Sequence, residues 1–458
     1  MTGHVIGNEG QSSKQKIKLI LALAVPAIIE NILQTAVGFV DTLFVSKLGL
    51  AEVTAVGIAN TVLAVYLAIF MALGIGTSSL IARSVGAGDF EKAKVLARQS
   101  TLLAALAGMI FGLITLLFAE PLLSLMGAEP KVLADGAMYL RIVAVPSVFI
   151  SLMLIFGSIL RAAGDTKTPM KVSWWINILH IVLDYLFIFG FWIVPSLGVA
   201  GAAWATVIVR IIGTIVLFVY IQRSKMAFSL RTATDTNGKS YNAPLLKLSL
   251  PAAVERIIMR LGQVLYFGLI VRMGTDTYAA HTIAGTIESF SYMPGYGLAV
   301  AATTLVGQSL GANRREDAYQ YGMLTTWIAV VLMSIIGLLM FLFSPWLASW
   351  FTSDQNAIDM VVTALRIDAF AQPALAVAVV LAGALQGAGD TKSPMYSTAI
   401  GMWVIRVIGV YLLGIHFQMG IAGVWISIAI DLFTRAIFLA YKFRKIKQNI
   451  KTEIGMPD

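Results

Sequence analysis

Long apolar runs recur along the whole chain, separated by short stretches of charged and turn-forming residues. A helix that crosses a bilayer needs about 20 mostly apolar residues. Twelve runs meet that length, at roughly 17–45, 52–82, 94–119, 132–160, 170–194, 198–221, 244–271, 277–308, 318–343, 356–386, 395–416 and 420–441. The pattern predicts an all-α integral membrane protein with twelve transmembrane helices. Several runs exceed the thickness of a bilayer, so tilt or protrusion is expected.

Composition agrees with this pattern. Of 458 residues, 58% are hydrophobic and 12% charged, against about 25% charged in a soluble domain. So few charges cannot cover a water-exposed surface. The absence of cysteine excludes disulfides and thiolate metal sites. The first run contains Pro26 and Glu30 and lacks a small-residue cleavage site, so it reads as a retained helix rather than a signal peptide.

The net charge of +9 raises the question of nucleic acid, and the placement of the charges answers it. With the inter-run segments sorted alternately to two sides, 23 Lys and Arg residues fall on one side and 5 on the other. The richer side includes Lys14, Lys16, Lys92, Lys94, Arg161, Lys167, Arg314, Lys392 and the basic tail from Lys442. The positive-inside rule places that side, and both termini, in the cytoplasm. The basic excess is therefore topology and implies no nucleic-acid partner.

The chain also repeats itself at a separation of 225 residues. Pro26, Ala27 and Glu30 recur as Pro251, Ala252 and Glu255, and Leu140-Arg141-Ile142 recurs as Leu365-Arg366-Ile367. The clearest pair is Ala163-Gly164-Asp165-Thr166-Lys167 against Ala388-Gly389-Asp390-Thr391-Lys392. Two six-helix lobes follow: 1–221, then a cytoplasmic linker over 222–243, then 244–458 with its basic tail. Parallel repeats of this kind are common in carriers that rock two halves about a central substrate site. Gly238-Lys239-Ser240 in the linker resembles the end of a phosphate loop, but Ala233 stands where the earlier glycine is required and no strand precedes it. Without an ATP motif, transport draws on an ion gradient or runs downhill.

A carboxylate inside a membrane is costly and is a functional candidate by default. Asp41 lies toward the outer end of the first run, with Gln34 and Glu30 at earlier positions on the same helical face. Asp184 lies in the outer half of the fifth run, with His180 and Asn177 one and two turns before it. Both aspartates fall at similar depth and can face one cavity. The plainer alternatives are an interfacial Asp41 that meets headgroups and an Asp184 that only ties helices together. Glu30 and Glu255 occupy equivalent repeat positions, which suits a structural or gating role as well as a substrate contact. In the second half, Arg256, Arg260, Arg406 and Arg435 accompany Asp368 and Asp431, and these charges are expected to neutralise one another. Gly108-x-x-x-Gly112 and Gly383-x-x-x-Gly387 read as close helix contacts, His281 as ordinary packing, and the in-run prolines as candidate kinks.

With these residues in view, the chain resembles the multidrug and toxic compound extrusion (MATE) family over nearly its whole length. The resemblance rests on the six-plus-six layout, the stretch from Pro26 to Asp41, the Gly86-Ala87 and Gly311-Ala312 segments, the paired Ala-Gly-Asp-Thr-Lys motifs, and Gly198-Val199-Ala200-Gly201-Ala202-Ala203. The pairing of Asp41 with Asp184 looks like the DinF-like bacterial branch. The resemblance implies secondary active export of organic, mostly cationic compounds in exchange for protons or sodium ions. It implies no enzyme activity and no cofactor beyond the coupling ion. It adds Thr206 to the cavity residues Gln34, Asn177 and His180, and makes Asp368 a secondary coupling candidate. His180 departs from the asparagine that family members with a proposed sodium site show at that position. Imidazole suits protons better than a hard cation, so proton coupling is favoured over sodium. A monomer in the bacterial cytoplasmic (inner) membrane is expected. Two competing readings are a lipid-linked precursor flippase, disfavoured by twelve rather than about fourteen spans, and an intramembrane enzyme, for which no catalytic motif lies at membrane depth.

Overall fold

The computed structural model describes residues 11–190, 195–228 and 240–454, and every regular element within them is helical. In order these are α1 (Ser13–Ser46), α2 (Leu50–Gly86), α3 (Phe90–Leu125), α4 (Pro130–Ala144), α5 (Ser147–Ala162), α6 (Lys167–Phe189), α7 (Val199–Gln222), α8 (Asn242–Arg272), α9 (Thr275–Ser291), α10 (Met293–Gly311), α11 (Arg315–Ser349), α12 (Gln355–Gly387), α13 (Lys392–Ala399) and α14 (Gly420–Ile454). Two π-helical stretches, Ile400–Val407 and Val410–His416, continue α13. Among the described residues nine spans are long and apolar enough to cross a membrane, and the α4–α5 pair supplies a tenth. With α8 and the α9–α10 pair, the elements follow the order of the twelve predicted runs. The Gly238-Lys239 part of the linker lies outside the described residues.

Two predicted spans are broken rather than continuous. The run at 132–160 is α4 and α5, bent by 49° across Pro146. Proline offers no N–H to the preceding turn and its ring crowds the carbonyl there. The run at 277–308 is α9 and α10, which part at Tyr292, two residues before Pro294. Pro26, Pro251 and Pro373 lie inside uninterrupted helices.

The chain forms two compact units. The first contains Ile29–Val85 and Asp89–Ala253; the second contains the start of α1 through Ile28, Gly86–Gly88, and the chain from Val254 onward. Membership thus changes two residues past Pro26 in α1 and two residues past Pro251 in α8. In the first unit, Ile81, Leu96, Ile155, Ile159 and Leu160 form one buried cluster and Val45, Phe70, Leu140 and Ile188 another. In the second unit, Ile20 and Leu23 join Tyr321, Leu381, Trp425 and Phe443.

The repeated motifs have local physical causes. Gly164 and Gly389 sit at φ +92° and +80°, where a side chain is strained. Each ends a helix in the same way: Asp165 N–H donates to Leu160 O at 2.9 Å, and Asp390 N–H to Leu385 O at 2.8 Å. Each aspartate then accepts from the N–H three residues on, Thr168 at 2.9 Å and Ser393 at 2.9 Å, so the same turn restarts the next helix. Lipid offers no hydrophobic drive between helices, so close contact matters more. A Cβ on Gly108 or Gly112 would strike the backbone at Val148 or Val145, at the α4–α5 bend. Gly383 and Gly387 meet the backbone of Ala299 and Thr303 on α10 in the same manner.

Candidate functional site

In the first unit the α6–α7 pair builds the site. Gly190, at φ +78°, ends α6, and Gly201 near the start of α7 rests directly on the Phe187 carbonyl, where a Cβ would collide. The two antiparallel helices therefore run side by side, and about two turns further in His180 meets Thr206. The Thr206 hydroxyl donates to Ala202 O at 2.9 Å, so its remaining capacity is to accept. His180 Nε2 lies 3.2 Å from Thr206 Oγ1 and 3.5 Å from Asp184 Oδ2, and it is a donor in this arrangement. A hydrogen bond also joins Tyr139 of α4, 2% exposed, to Thr206.

Asp184 has no solvent exposure, and neither carboxyl oxygen has a hydrogen-bond partner among the described residues. Asp41, on the part of α1 that belongs to this unit, is half-buried and its Oδ1 is likewise unpartnered. The two carboxyls are close enough for their charges to interact. The fold thus brings Asp41, Asp184, His180 and Thr206 together. Asn177 lies two turns before Asp184, half-buried, with Nδ2 unpartnered among the described residues. Gln34 is exposed, although periodicity puts it on the Asp41 face. A recess of about 260 Å³ in the same unit, lined by Ile29, Met170, Lys171, Trp174 and Trp175, contains none of the four clustered residues.

The repeated glutamates are tied into helix contacts. Glu30 accepts from Arg161 Nη1 at 3.1 and 3.2 Å and from Ser173 Oγ at 3.5 Å. Glu255, in the second unit, accepts from Thr398 Oγ1 at 3.0 Å. Ser173 and Thr398 are themselves 225 residues apart, so this contact repeats along with the sequence. Asp368 is 1% exposed; its Oδ2 accepts from Gln372 Nε2 at 2.6 Å, and its Oδ1 has no partner among the described residues. Asp431 is held by Arg406 at 2.8 Å and by Arg435 at 2.5 and 2.9 Å. A Cβ on Gly401 would occupy the place of Asp431 Oδ1 and Arg435, so the π-helical stretch needs glycine there. The His281 ring packs against Phe267, Tyr266 and Trp425.

Three residues at these sites escaped the sequence reading. Arg210, one turn beyond Thr206 on α7, interacts by charge with Asp41, Tyr139 and His180 on three other helices. A lone arginine inside the apolar run 198–221 was the available signal. Tyr139 carried no signal of its own, because a tyrosine in a span reads as packing. Glu288 lies within charge range of Asp368 and Arg406, and it too was visible as an acid within a span.

A bundle of helices long and apolar enough to span a bilayer defines a multi-pass membrane protein, and the comparisons place it among transporters rather than enzymes. The profile of the family described as MatE matches residues 26–186 and 251–412, one match per repeat. The chain belongs to that family. It is 33% identical over 436 residues to a probable multidrug resistance protein NorM of Thermotoga maritima, covering 93% of each chain. It is 26% identical to the multidrug resistance protein PmpM of Pseudomonas aeruginosa, covering 96% of this chain and 93% of the other. A solved outward-facing multidrug resistance MATE transporter of the MOP superfamily superposes with a TM-score of 0.87 at 25% identity, over 96% of this chain and 99% of that one. Another, described by a reversed polarity of its binding pocket and from Pyrococcus furiosus, gives 0.86 at 25% identity over the same shares.

Proposed function

We propose that this protein exports drug-like organic compounds, mostly cationic, from the bacterial cytoplasm across the cytoplasmic membrane, in exchange for protons and as a monomer with both termini inside. Its relatives named as multidrug resistance proteins support the export of drugs. The observation that carries the coupling is Asp184, fully buried with both oxygens unpartnered among the described residues and with a second carboxyl, Asp41, within range of its charge. An unpartnered carboxylate in a low dielectric is costly, and a proton relieves that cost without importing a coordination shell. A cationic substrate and the proton then compete for the same negative charge. Protonation from outside releases the substrate outward, and loss of the proton inside readies the site again.

The energetics suffice. A potential of 100 mV supplies about 2.3 kcal/mol per charge moved, and one pH unit adds about 1.4 kcal/mol. One net inward charge sustains roughly fiftyfold accumulation at that potential. The test is efflux of a fluorescent organic cation from proteoliposomes, with pH and sodium gradients imposed separately. Wild-type protein responds to the pH gradient, and Asp41→Asn, though folded, does not. Undiminished proton-driven efflux by Asp41→Asn would overturn the assignment.

A further inference from the structure

We infer that the recess lined by Ile29, Met170, Lys171, Trp174 and Trp175 binds one anionic phospholipid, with its phosphate at Lys171 and Lys167 and an acyl chain along the two tryptophans. This rests on the orientation proposed above, both termini inside, which makes the lipid one of the cytoplasmic leaflet. It does not depend on the coupling role given to Asp41 and Asp184.

The recess lies wholly within the first unit and encloses about 260 Å³. Four of its five lining residues come from the start of α6, and Ile29 comes from α1. Lys167, Lys171 and the Trp174–Trp175 pair follow at three- to four-residue steps, which puts them on one helical face. At 1.5 Å per residue the stripe runs about 12 Å inward from the end of the helix. Its order, charge first and then aromatic rings, is that of headgroup and upper acyl chain in a leaflet, where tryptophan is enriched. Trp174 is 48% exposed and Trp175 70%, so the fold leaves both rings open to an occupant.

The charges favour an anion. Lys167 and Lys171 are exposed, and neither ammonium has an ion-pair partner among the described residues. The acids on either flank are already engaged. Glu30, next to Ile29, accepts from Arg161 and Ser173, and Asp165 accepts from the Thr168 N–H at 2.9 Å and its hydroxyl at 2.6 Å. The recess therefore repels an organic cation and attracts a phosphate. Each lysine near a membrane surface strengthens the hold on an anionic lipid roughly fivefold. The duplication shows that packing does not require this stripe. In the second unit Lys171, Trp174 and Trp175 are replaced by Tyr396, Ala399 and Ile400. The glutamate contact and the aspartate turn are retained there without them.

The test measures lipid binding apart from transport. Purified full-length protein in neutral detergent is titrated with phosphatidylglycerol or phosphatidylcholine, and native mass spectrometry follows the bound lipid. Wild type retains one phosphatidylglycerol in preference to phosphatidylcholine. Lys171→Gln weakens that binding roughly fivefold, and Lys167→Gln with Lys171→Gln roughly 25-fold. Lys442→Gln with Lys445→Gln, which removes the same charge from α14, leaves it unchanged. Phosphatidylglycerol with brominated acyl chains quenches tryptophan fluorescence in wild type and much less in Trp174→Phe with Trp175→Phe. Soluble glycerol phosphate at millimolar concentration does not displace the lipid. Equal retention of the two lipids by wild type overturns the inference, as does a loss no larger in the α6 variants than in the α14 variant. Quenching that survives the tryptophan changes overturns it too, and displacement by glycerol phosphate would mark a site for a free phosphate instead. Both lysines are exposed, so the variants are expected to fold, which thermal unfolding checks; Lys171→Gln by itself decides the matter if the double variant is not recovered. Orientation reads out separately. The chain has no cysteine, so labelling of Lys442→Cys by an impermeant maleimide in intact cells would reverse the leaflet while leaving the headgroup site in place.

Discussion

Two aspartates, one in each unit, have no solvent exposure at all: Asp184 and Asp431. Asp431 receives three charge-assisted hydrogen bonds from Arg406 and Arg435, at 2.5–2.9 Å. Asp184 receives none among the described residues, and His180 Nε2 stands 3.5 Å from its Oδ2. Burial alone therefore does not distinguish an open carboxyl from a partnered one. A fully partnered charge is part of the packing, because removing either partner strands the other. A charge left open has a cost that the surrounding fold must offset, and it retains the freedom to bind a proton or a ligand. Asp368 stands between the two, with one oxygen bonded to Gln372 and the other open.

The sharpest way to break this contrast is to remove each side chain and compare. Asp431→Ala removes the carboxylate that Arg435 grips through two nitrogens and that Arg406 also holds, and is expected to cost about 3–5 kcal/mol, seen as loss of folded, monodisperse protein. Gly401→Ala, which forces the same pair apart, lowers thermal stability in the same direction. Next in size, Glu30→Gln loses the ion pair with Arg161 and costs about 1.5–3 kcal/mol, measured as a fall in Tm. Glu255 accepts a hydrogen bond from the neutral Thr398 hydroxyl and interacts with Arg256 and Arg435 by charge without an ion pair like that of Glu30, so it loses less on the same substitution.

Asp184→Asn is expected to behave in the opposite way. No partner is stranded, so Tm is unchanged or higher, while the roughly tenfold accumulation of drug per imposed pH unit disappears in proteoliposomes. A large drop in Tm with coupling intact would show that Asp184 belongs with Asp431. The turn aspartates provide a symmetric control. Asp165→Ala and Asp390→Ala each lose a cap of about 1 kcal/mol, and their equal effects on Tm would show that the repeat preserves turn chemistry even where the buried charges differ. Smallest of all, Gln34→Ala at an exposed position is expected to change Tm by less than the equivalent of about 0.5 kcal/mol, whatever it does to substrate preference.

Several parts of this comparison were open to a reader of the sequence. The Asp41, Asp184, His180 and Thr206 constellation follows from spacing and family resemblance, and the neutralising set of Arg406, Arg435 and Asp431 was foreseeable from charges of both signs within the last two spans. The partners of Glu30 were not, because Arg161 is 131 residues away and reads as a loop cation that merely reports topology. Arg210 was overlooked although it stood alone in an apolar run.

The sequence by itself determined the spans, their order, the internal duplication and the turns that join α5 to α6 and α12 to α13. Bilayer thickness sets run length, and a left-handed backbone followed by a capping aspartate is written in three or four consecutive residues. Only the tertiary structure decided which buried charges have partners. Helical periodicity fixes the face a residue occupies but not what lies opposite it. Arg435 lies one turn from Asp431 on α14, a contact that spacing suggests, whereas Arg406 reaches Asp431 from the stretch that continues α13, and that contact, like the lack of a partner for Asp184 among the described residues, is not encoded by spacing along the chain.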